Sequence, residues 1–437
     1  MRLVLLCGGS GTRLRPLSND IRSKLFLDLL PAPDGGRESM IRRLSRQLDE
    51  AGMLPSALFV IRRGQTALLR NRIGGSGLVI PEPERRATYL AAALAAAYLH
   101  SALAAGPDEI VCVMPADPLV DASFFRAIAR LPEALERTGA RLALIGAPPA
   151  HPSGQFGYIV PSGPVPPGGR APVRRFVEKP AAPEAERLIR AGALWNCGVF
   201  AFRLKFMLES MAERGLPADY GKLQEMYGGL KADSFDREIA EREARSVVIR
   251  HDGLWRDLGS WEALAGELGE AVVGPGSISG DSRNAHVVNE LHIPIHLIGV
   301  SNVIAAAGPD GILVADKAAS GRVRDLLPPA GRPMYGEYAW GVRRVIHADA
   351  PDGERREFAL AKLIPGAVRR MPEEAGASAL ITVIAGEGTL LWQDGSFTPL
   401  RRGTTVIVEA GEPCAFRTDA GMELLEAHFR GRAHKLE

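Results

Sequence analysis

The first two dozen residues constrain this chain most. Leu3 to Cys7 is a run of five apolar residues close to the N-terminus, and it stops at Gly8, Gly9 and Gly11. A short continuous apolar run predicts a strand buried in a parallel sheet. Glycine permits φ > 0 and lets main-chain N–H groups approach a ligand closely. Successive N–H groups in a tight turn make an anion-binding hollow, and Arg13, Arg15 and Lys24 add positive charge beside it. The stretch predicts a phosphate cradle at a strand end. Two common cradles are excluded. A P-loop continues as Gly-Lys-Ser/Thr, whereas Thr12-Arg13 follows Gly11 here. The dinucleotide fingerprint needs a further glycine where Leu14 stands.

Downstream, the spacing of Met40, Ile41, Leu44 and Leu48 predicts a helix from Ser39 to a glycine cap at Gly52. Strands are predicted at Ala57–Ile61, Leu78–Ile80, Glu109–Met114 and Arg141–Gly146, with an alanine-rich helix over Ala91–Leu103. Strands alternating with helices imply βαβ units, whose ligands sit beyond the carboxyl ends of the strands. The cradle and Asp117 both occupy such ends. Asp117 either caps a helix or holds a metal; Mg2+ takes one or two carboxylates plus phosphate oxygens. Glu178 and Lys179 are adjacent, and side chains alternate along a strand. They can share a pocket only if the strand ends there, as Pro180 suggests. Otherwise they form an exposed charged strand end. Asn196 offers donors and acceptors for hydroxyls, or serves as a turn residue. Asp257 could hold a metal or cap a helix starting near Ser260.

At 437 residues with 46% apolar content, two or three domains are expected. The net charge of +2 and the lack of a basic block give no pointer to nucleic acid. The four cysteines form no CxxC pair, so neither a zinc site nor a disulfide framework is indicated. Cys7 and Cys112, inside apolar runs, read as buried thiols. No stretch reaches the ~18 apolar residues of a membrane span, and the N-terminal run is too short for a signal peptide. A soluble, cytoplasmic protein is expected. From about Gly274 helical periodicity gives way to short strands. Pro328–Gly331 reads as a linker. Beyond it, strand candidates at Phe358–Ile364, Ala379–Ile384, Gly388–Trp392, Thr405–Val408 and Glu423–Ala427, with a turn over Ala385–Gly388, imply a small barrel or jelly roll.

The pattern Gly-Gly-x-Gly-Thr-Arg-Leu-x-Pro-Leu-Ser, with a lysine shortly after, resembles the signature loop of sugar-phosphate nucleotidyltransferases. Val113–Asp117 resembles the metal-binding segment of the mannose-1-phosphate guanylyltransferases among them, with Pro118 where histidine is usual. Trp255–Trp261 looks like their second metal segment. The resemblance implies an α/β, mostly parallel Rossmann-like sheet with helices on both faces over residues 1–265. It implies a β-helix-like segment over 266–330 and a small all-β cupin-like barrel over 331–437. It implies GTP and mannose 1-phosphate as substrates, Mg2+ as cofactor, no nucleic-acid or membrane partner, and a homodimer or other homo-oligomer. Gly8, Gly9, Gly11, Thr12 and Arg13 would take the β- and γ-phosphates, and Lys24 the α-phosphate. Asp117 and Asp257 would hold Mg2+. Gly157, Glu178, Lys179 and Asn196 would hold the sugar phosphate. Glu82, Arg86 and Thr88 lie in a stretch resembling the base-binding loop Glu-Pro-x-Gly-Arg-Asn-Thr, here without its glycine and with Ala87 for asparagine. Ser23 replaces the proline usual before the lysine. In the cupin-like tail, Ala367–Ala375 carries no histidine where the isomerase family binds metal, so no isomerase activity is expected, and Glu373-Glu374 reads as a solvated turn. Another base with another sugar 1-phosphate (UTP or dTTP with glucose 1-phosphate), or a non-catalytic sugar-nucleotide-binding regulator, are the alternatives.

Overall fold

A computed structural model describes residues 1–9, 11–75, 77–326, 333–349, 356–371 and 377–429. The Pro328–Gly331 and Glu373-Glu374 stretches lie outside these. Two compact units emerge, one of residues 1–11 with 24–269, the other of residues 12–23 with 270 onward.

The first unit is built on a nine-stranded sheet. Its strands are β1 (Arg2–Leu6), β2 (Ala57–Arg62), β3 (Leu78–Glu82), β4 (Ile110–Pro115), β6 (Leu142–Ala147), β7 (Tyr158–Pro161), β8 (Arg170–Val177), β9 (Leu194–Arg203) and β10 (Ser246–Arg250). Two short strands, β5 (Pro118–Val120) and β11 (Trp255–Asp257), pair apart from it. The order is β3-β2-β1-β4-β9-β6-β10-β8-β7. Neighbours from β3 to β4 are parallel, as is β6 with β10. Those flanking β9, and those joining β10 to β8 and β8 to β7, are antiparallel. The mostly parallel sheet expected from the sequence is therefore a mixed one. The physical reason is β9, a ten-residue strand whose apolar residues wedge between β4 and β6 against the direction of both. A buried strand reads as an apolar run whichever way it pairs.

The alanine-rich segment forms the helix Ala87–Ala97, extended by a turn of π-helix over Tyr98–Ala102. Ala91 to Ala97 are all buried in one core with Val4, Leu58 and Val113 of the sheet. Small side chains on every face let this helix lie enclosed, as a helix apolar all round must. Cys7 and Cys112 are buried, and burial pushes the Cys112 thiol up to about 12.

In the second unit, Val272-Val273, His286–Asn289 and Val303–Gly308 pair in parallel, as do Gly276–Ile278 and Ile295–Leu297. These are the rungs of a small coil around Val287, Leu297 and Ala305. The tail is an antiparallel sheet curled into a half-barrel. It comprises β12 (Tyr335–Tyr338), β13 (Gly341–Asp349), β14 (Arg356–Leu363), β15 (Val368–Met371), β16 (Ser378–Trp392), β17 (Phe397–Arg401), β18 (Thr405–Val408), β19 (Cys414–Arg417) and β20 (Met422–Phe429). The turn expected over Ala385–Gly388 is instead the bend of a single strand. β16 runs through it with a register shift after Val383 and Gly386 at φ 76°, pairing with β20 before the bend and β19 after it. An extra residue and a left-handed glycine bend a strand without ending it.

Residues 12–23, the second half of the Gly-rich stretch, pack within this unit. The Asn19 amide donates to Asp310 Oδ2 (2.6 Å) and to the Tyr335 carbonyl (2.8 Å). Arg22 pairs with Glu290 (2.6 Å) and Glu337 (3.5 Å) and lies 4.4 Å from the centre of the Tyr335 ring.

Candidate active site

Gly8, Gly9 and Gly11 follow β1 directly. A Cβ on Gly8 would stand 3.0 Å from Glu82 Oε2, and one on Gly11 would stand 2.9 Å from Lys24 Cβ. Gly11 also has φ 64°, so both space and backbone conformation demand glycine. The cradle is thus folded tightly around the start of the Lys24–Phe26 turn. Lys24 is buried, and its ammonium forms an ion pair with Asp117 Oδ2 and lies 3.9 Å from Asp257 Oδ1.

The two aspartates meet through a short ladder. β5 and β11 are antiparallel, with Asp257 opposite Pro118 and Trp255 opposite Val120. Pro118 opens β5, a position where a missing N–H is tolerated. Neither aspartate is a helix cap. Asp121 caps the helix that follows Asp117, and Ser260 caps the one that follows Asp257. One ammonium serving two carboxylates marks a spot where a divalent cation with phosphate oxygens would also be satisfied. No group of three or more His, Cys, Asp or Glu side chains able to hold a metal occurs among the described residues. The donor set fits Mg2+ bound by two carboxylates and substrate.

Asp117 and Asp257 also line a cleft of about 190 Å³ with Gly157, Glu178, Lys179, Asn196, Asp236 and Trp255. Glu178 and Lys179 both reach it. β8 ends at Val177, and Lys179 adopts φ 46°, which breaks the alternation of sides. The two side chains pair with each other. Gly157 is needed because a Cβ there would meet Glu178 Oε2 and the Phe176 ring, both at 2.8 Å. Asn196 is a strand residue of β9 rather than a turn.

Near the cradle, Glu82 ends β3 with its carboxyl buried. Burial raises it, and a hydrogen bond from Tyr227 Oη (2.8 Å) opposes that. Arg86 donates to the Gly228 carbonyl and pairs with Glu84 at 2.8 Å. The Thr88 hydroxyl accepts from the Phe235 N–H at 2.8 Å. Ala87 sits at φ 61°, a region that asparagine visits far more readily than alanine. The backbone thus keeps a left-handed turn where the resembled loop has asparagine. Ser23 is buried, and its hydroxyl has no partner among the described residues.

The sequence pattern of the family described as "Nucleotidyl transferase" matches residues 2–268. The chain belongs to that family. Among its relatives, the "Xanthan biosynthesis protein XanB" of Xanthomonas campestris pv. campestris (strain ATCC 33913) is 28% identical over 92% of this chain and 91% of its own. A "Putative mannose-1-phosphate guanylyltransferase" of Vibrio cholerae serotype O1 is 29% identical over 83% of this chain and 82% of its own. A solved "mannose-1-phosphate geranyltransferase" from Thermus thermophilus superposes with TM-score 0.60 at 29% identity, covering 74% of this chain and 97% of that one. As a member of the nucleotidyl transferase family related to these enzymes, the chain catalyses transfer of a nucleotidyl group to a sugar 1-phosphate. Among the described residues no helix is long and apolar enough to cross a membrane.

Sequence reasoning missed Asp236 and Tyr227. Both come from helical turns with no recognisable pattern, and only the three-dimensional fold brings Asp236 to the cleft wall and Tyr227 to the Glu82 carboxyl.

Proposed function

We propose that the chain is a mannose-1-phosphate guanylyltransferase, forming GDP-mannose and pyrophosphate from GTP and mannose 1-phosphate. The observation that carries this reading is the convergence of Lys24, Asp117 and Asp257 at one side of a cleft that Glu178, Lys179 and Asn196 also line. A phosphate oxygen of mannose 1-phosphate attacks the α-phosphorus of GTP. The bond from that phosphorus to the β-phosphate bridging oxygen breaks, and pyrophosphate leaves. No covalent enzyme intermediate is needed; positioning and charge neutralisation do the catalysis.

Gly8, Gly9, Gly11, Thr12 and Arg13 hold the β- and γ-phosphates. Lys24 turns from its aspartates to the α-phosphate, where negative charge develops. Asp117 and Asp257 hold Mg2+, which when bound supplies charge neutralisation beside the phosphates. Lys179 takes the sugar phosphate, and Glu178, with Gly157 and Asn196 beside it, the sugar ring. Glu82 offers an acceptor carboxylate beside the cradle, suited to the N1–H and N2–H2 donors of guanine; Arg86 and Thr88 hold the loop that carries it. The names of the Vibrio and Thermus relatives support mannose 1-phosphate as acceptor.

The test is pyrophosphate release across ATP, GTP, UTP and dTTP, each with mannose and glucose 1-phosphates, with and without Mg2+. Mg2+-dependent turnover highest for GTP with mannose 1-phosphate is expected. Preference for UTP or dTTP with glucose 1-phosphate overturns the substrate assignment.

A further inference from the structure

Asn196 is less available to a substrate than its position suggests. Its amide nitrogen donates to Asp236 Oδ1 at 2.8 Å, and its amide oxygen accepts the Gly198 N–H at 3.0 Å. Gly198 stands at φ 72°, so this small ring is built into the backbone of β9. An amide engaged at both ends is a strut. What it braces is a carboxylate that lines the same cleft as Glu178 and Lys179. A carboxylate has about four lone-pair sites, and the strut uses one.

We infer that Asp236 is a specificity-determining residue that accepts a sugar hydroxyl, and that Asn196 is the positioning residue that aims it. The inference rests on the sugar 1-phosphate reading of the cleft. Asp117 and Asp257 of the same cleft are assigned to the cation; Glu178 and Asp236 leave the pocket two further carboxylates, so it selects a sugar that presents two hydroxyl donors. Lys179 meanwhile answers the phosphate. A carboxylate set beside another carboxylate is poorly placed as a mere structural link. It is well placed once a hydroxyl comes between or beside them.

The environment agrees. Burial first, and the charge of Glu178 second, push the Asp236 carboxyl up to about 6, against the opposing pull of Lys179 and the Asn196 hydrogen bond. A carboxyl perturbed by burial and a specific charged neighbour in a cleft is a functional-site candidate.

The experiment pairs Asp236→Asn and Asn196→Ala with the preferred sugar 1-phosphate and its monodeoxy derivatives. For the parent sugar, Asp236→Asn is expected to raise KM 10- to 100-fold, with kcat and the KM for the nucleotide within about threefold of wild type. Against one deoxy derivative, the one lacking the accepted hydroxyl, that penalty collapses to threefold or less. Asn196→Ala loses its penalty against the same derivative. An equal penalty against every derivative, or a fall in kcat with KM unmoved, overturns the inference while leaving the sugar 1-phosphate reading intact. Wild-type protein alone gives a second check should the variants fail to fold: deoxy derivatives all within threefold of the parent also overturn it. Wild-type protein silent with every sugar 1-phosphate overturns both.

Discussion

Lys24 is a counter-ion to two carboxylates, and the proposed function makes it a catalyst as well. Its ammonium holds Asp117 and Asp257 together in a partly buried site where their charges would otherwise repel. Lys24→Ala should lower kcat by orders of magnitude in the pyrophosphate assay. It should also lower the melting temperature without Mg2+ and enlarge the rise that Mg2+ produces, because the cation no longer competes with an ammonium. Asp236 gives a pH signature. The groups around it are Glu178, Lys179, Asn196 and, elsewhere in the cleft, Asp117 and Asp257. Its folded value of about 6 lies above the ordinary aspartate value of about 3.9. The folded state therefore binds the proton more tightly than the unfolded state, and this group's contribution to stability falls as pH rises between those values. Asp236→Asn should melt higher than wild type at pH 7, by an amount on the order of 1 kcal/mol. In wild type, KM for the sugar phosphate should climb as pH drops below about 6, and the variant should lose that climb. At Ala87, the left-handed backbone costs alanine about 1 kcal/mol relative to a residue at ease there. Ala87→Asn should recover part of it, measurable as a shifted urea midpoint. The tight fit of Gly8 and Gly11 and the cleft positions of Asp117 and Asp257 were legible because each sits in a contiguous motif at a strand end. The sharing of one cleft by Glu178 and Lys179 was not, because it depends on a positive φ at Lys179 that no residue type there announces.

At the scale of elements, the half-barrel interior shows what stands where the resembled isomerase tail has metal-binding histidines. Arg369 of β15 and Glu426 of β20 are fully buried and form an ion pair. Arg343 of β13 joins them, 3.0 Å from Glu426, and pairs with Glu357 at 2.6 Å; His428 lies 3.0 Å from Glu426. The Trp340 ring lies 4.3 Å from the Arg369 guanidinium carbon. Burial alone would raise the Glu426 carboxyl, but Arg369, the His428 hydrogen bond and Arg343 hold it well below the usual range. That stabilisation is fully present above the unfolded value near pH ~4.3 and is lost as pH falls toward the folded one. Arg369→Met leaves a buried charge with fewer partners and should cost about 3–5 kcal/mol, read from urea unfolding at pH 7. The same variant should lose less stability than wild type between pH 5 and pH 3. Nothing in the sequence pairs residues 57 positions apart, so this network was invisible there. The outline of the tail was legible: alternation marked five stretches now seen in β14, β16, β18 and β20. The strands missed, such as β15 and β19, are four residues long and carry arginine on a face that turns out to be inward for Arg369.

At the scale of the whole molecule, the chain crosses from one unit to the other within its own signature loop. Gly11 and Lys24 belong to the first unit, while the twelve residues between them belong to the second. Arg22 illustrates the dependence: burial would weaken its charge, and Glu290 and Glu337 sustain it. Glu290→Gln should raise the KM for the nucleotide while leaving the KM for the sugar phosphate near wild type, measured in the same assay. The wall that shapes residues 12–23 includes Tyr335 and Glu337, 316 and 315 positions downstream of their loop partners. A gene cut after the catalytic sheet would yield a protein with its glycines and its lysine in place and no mould for the segment that joins them.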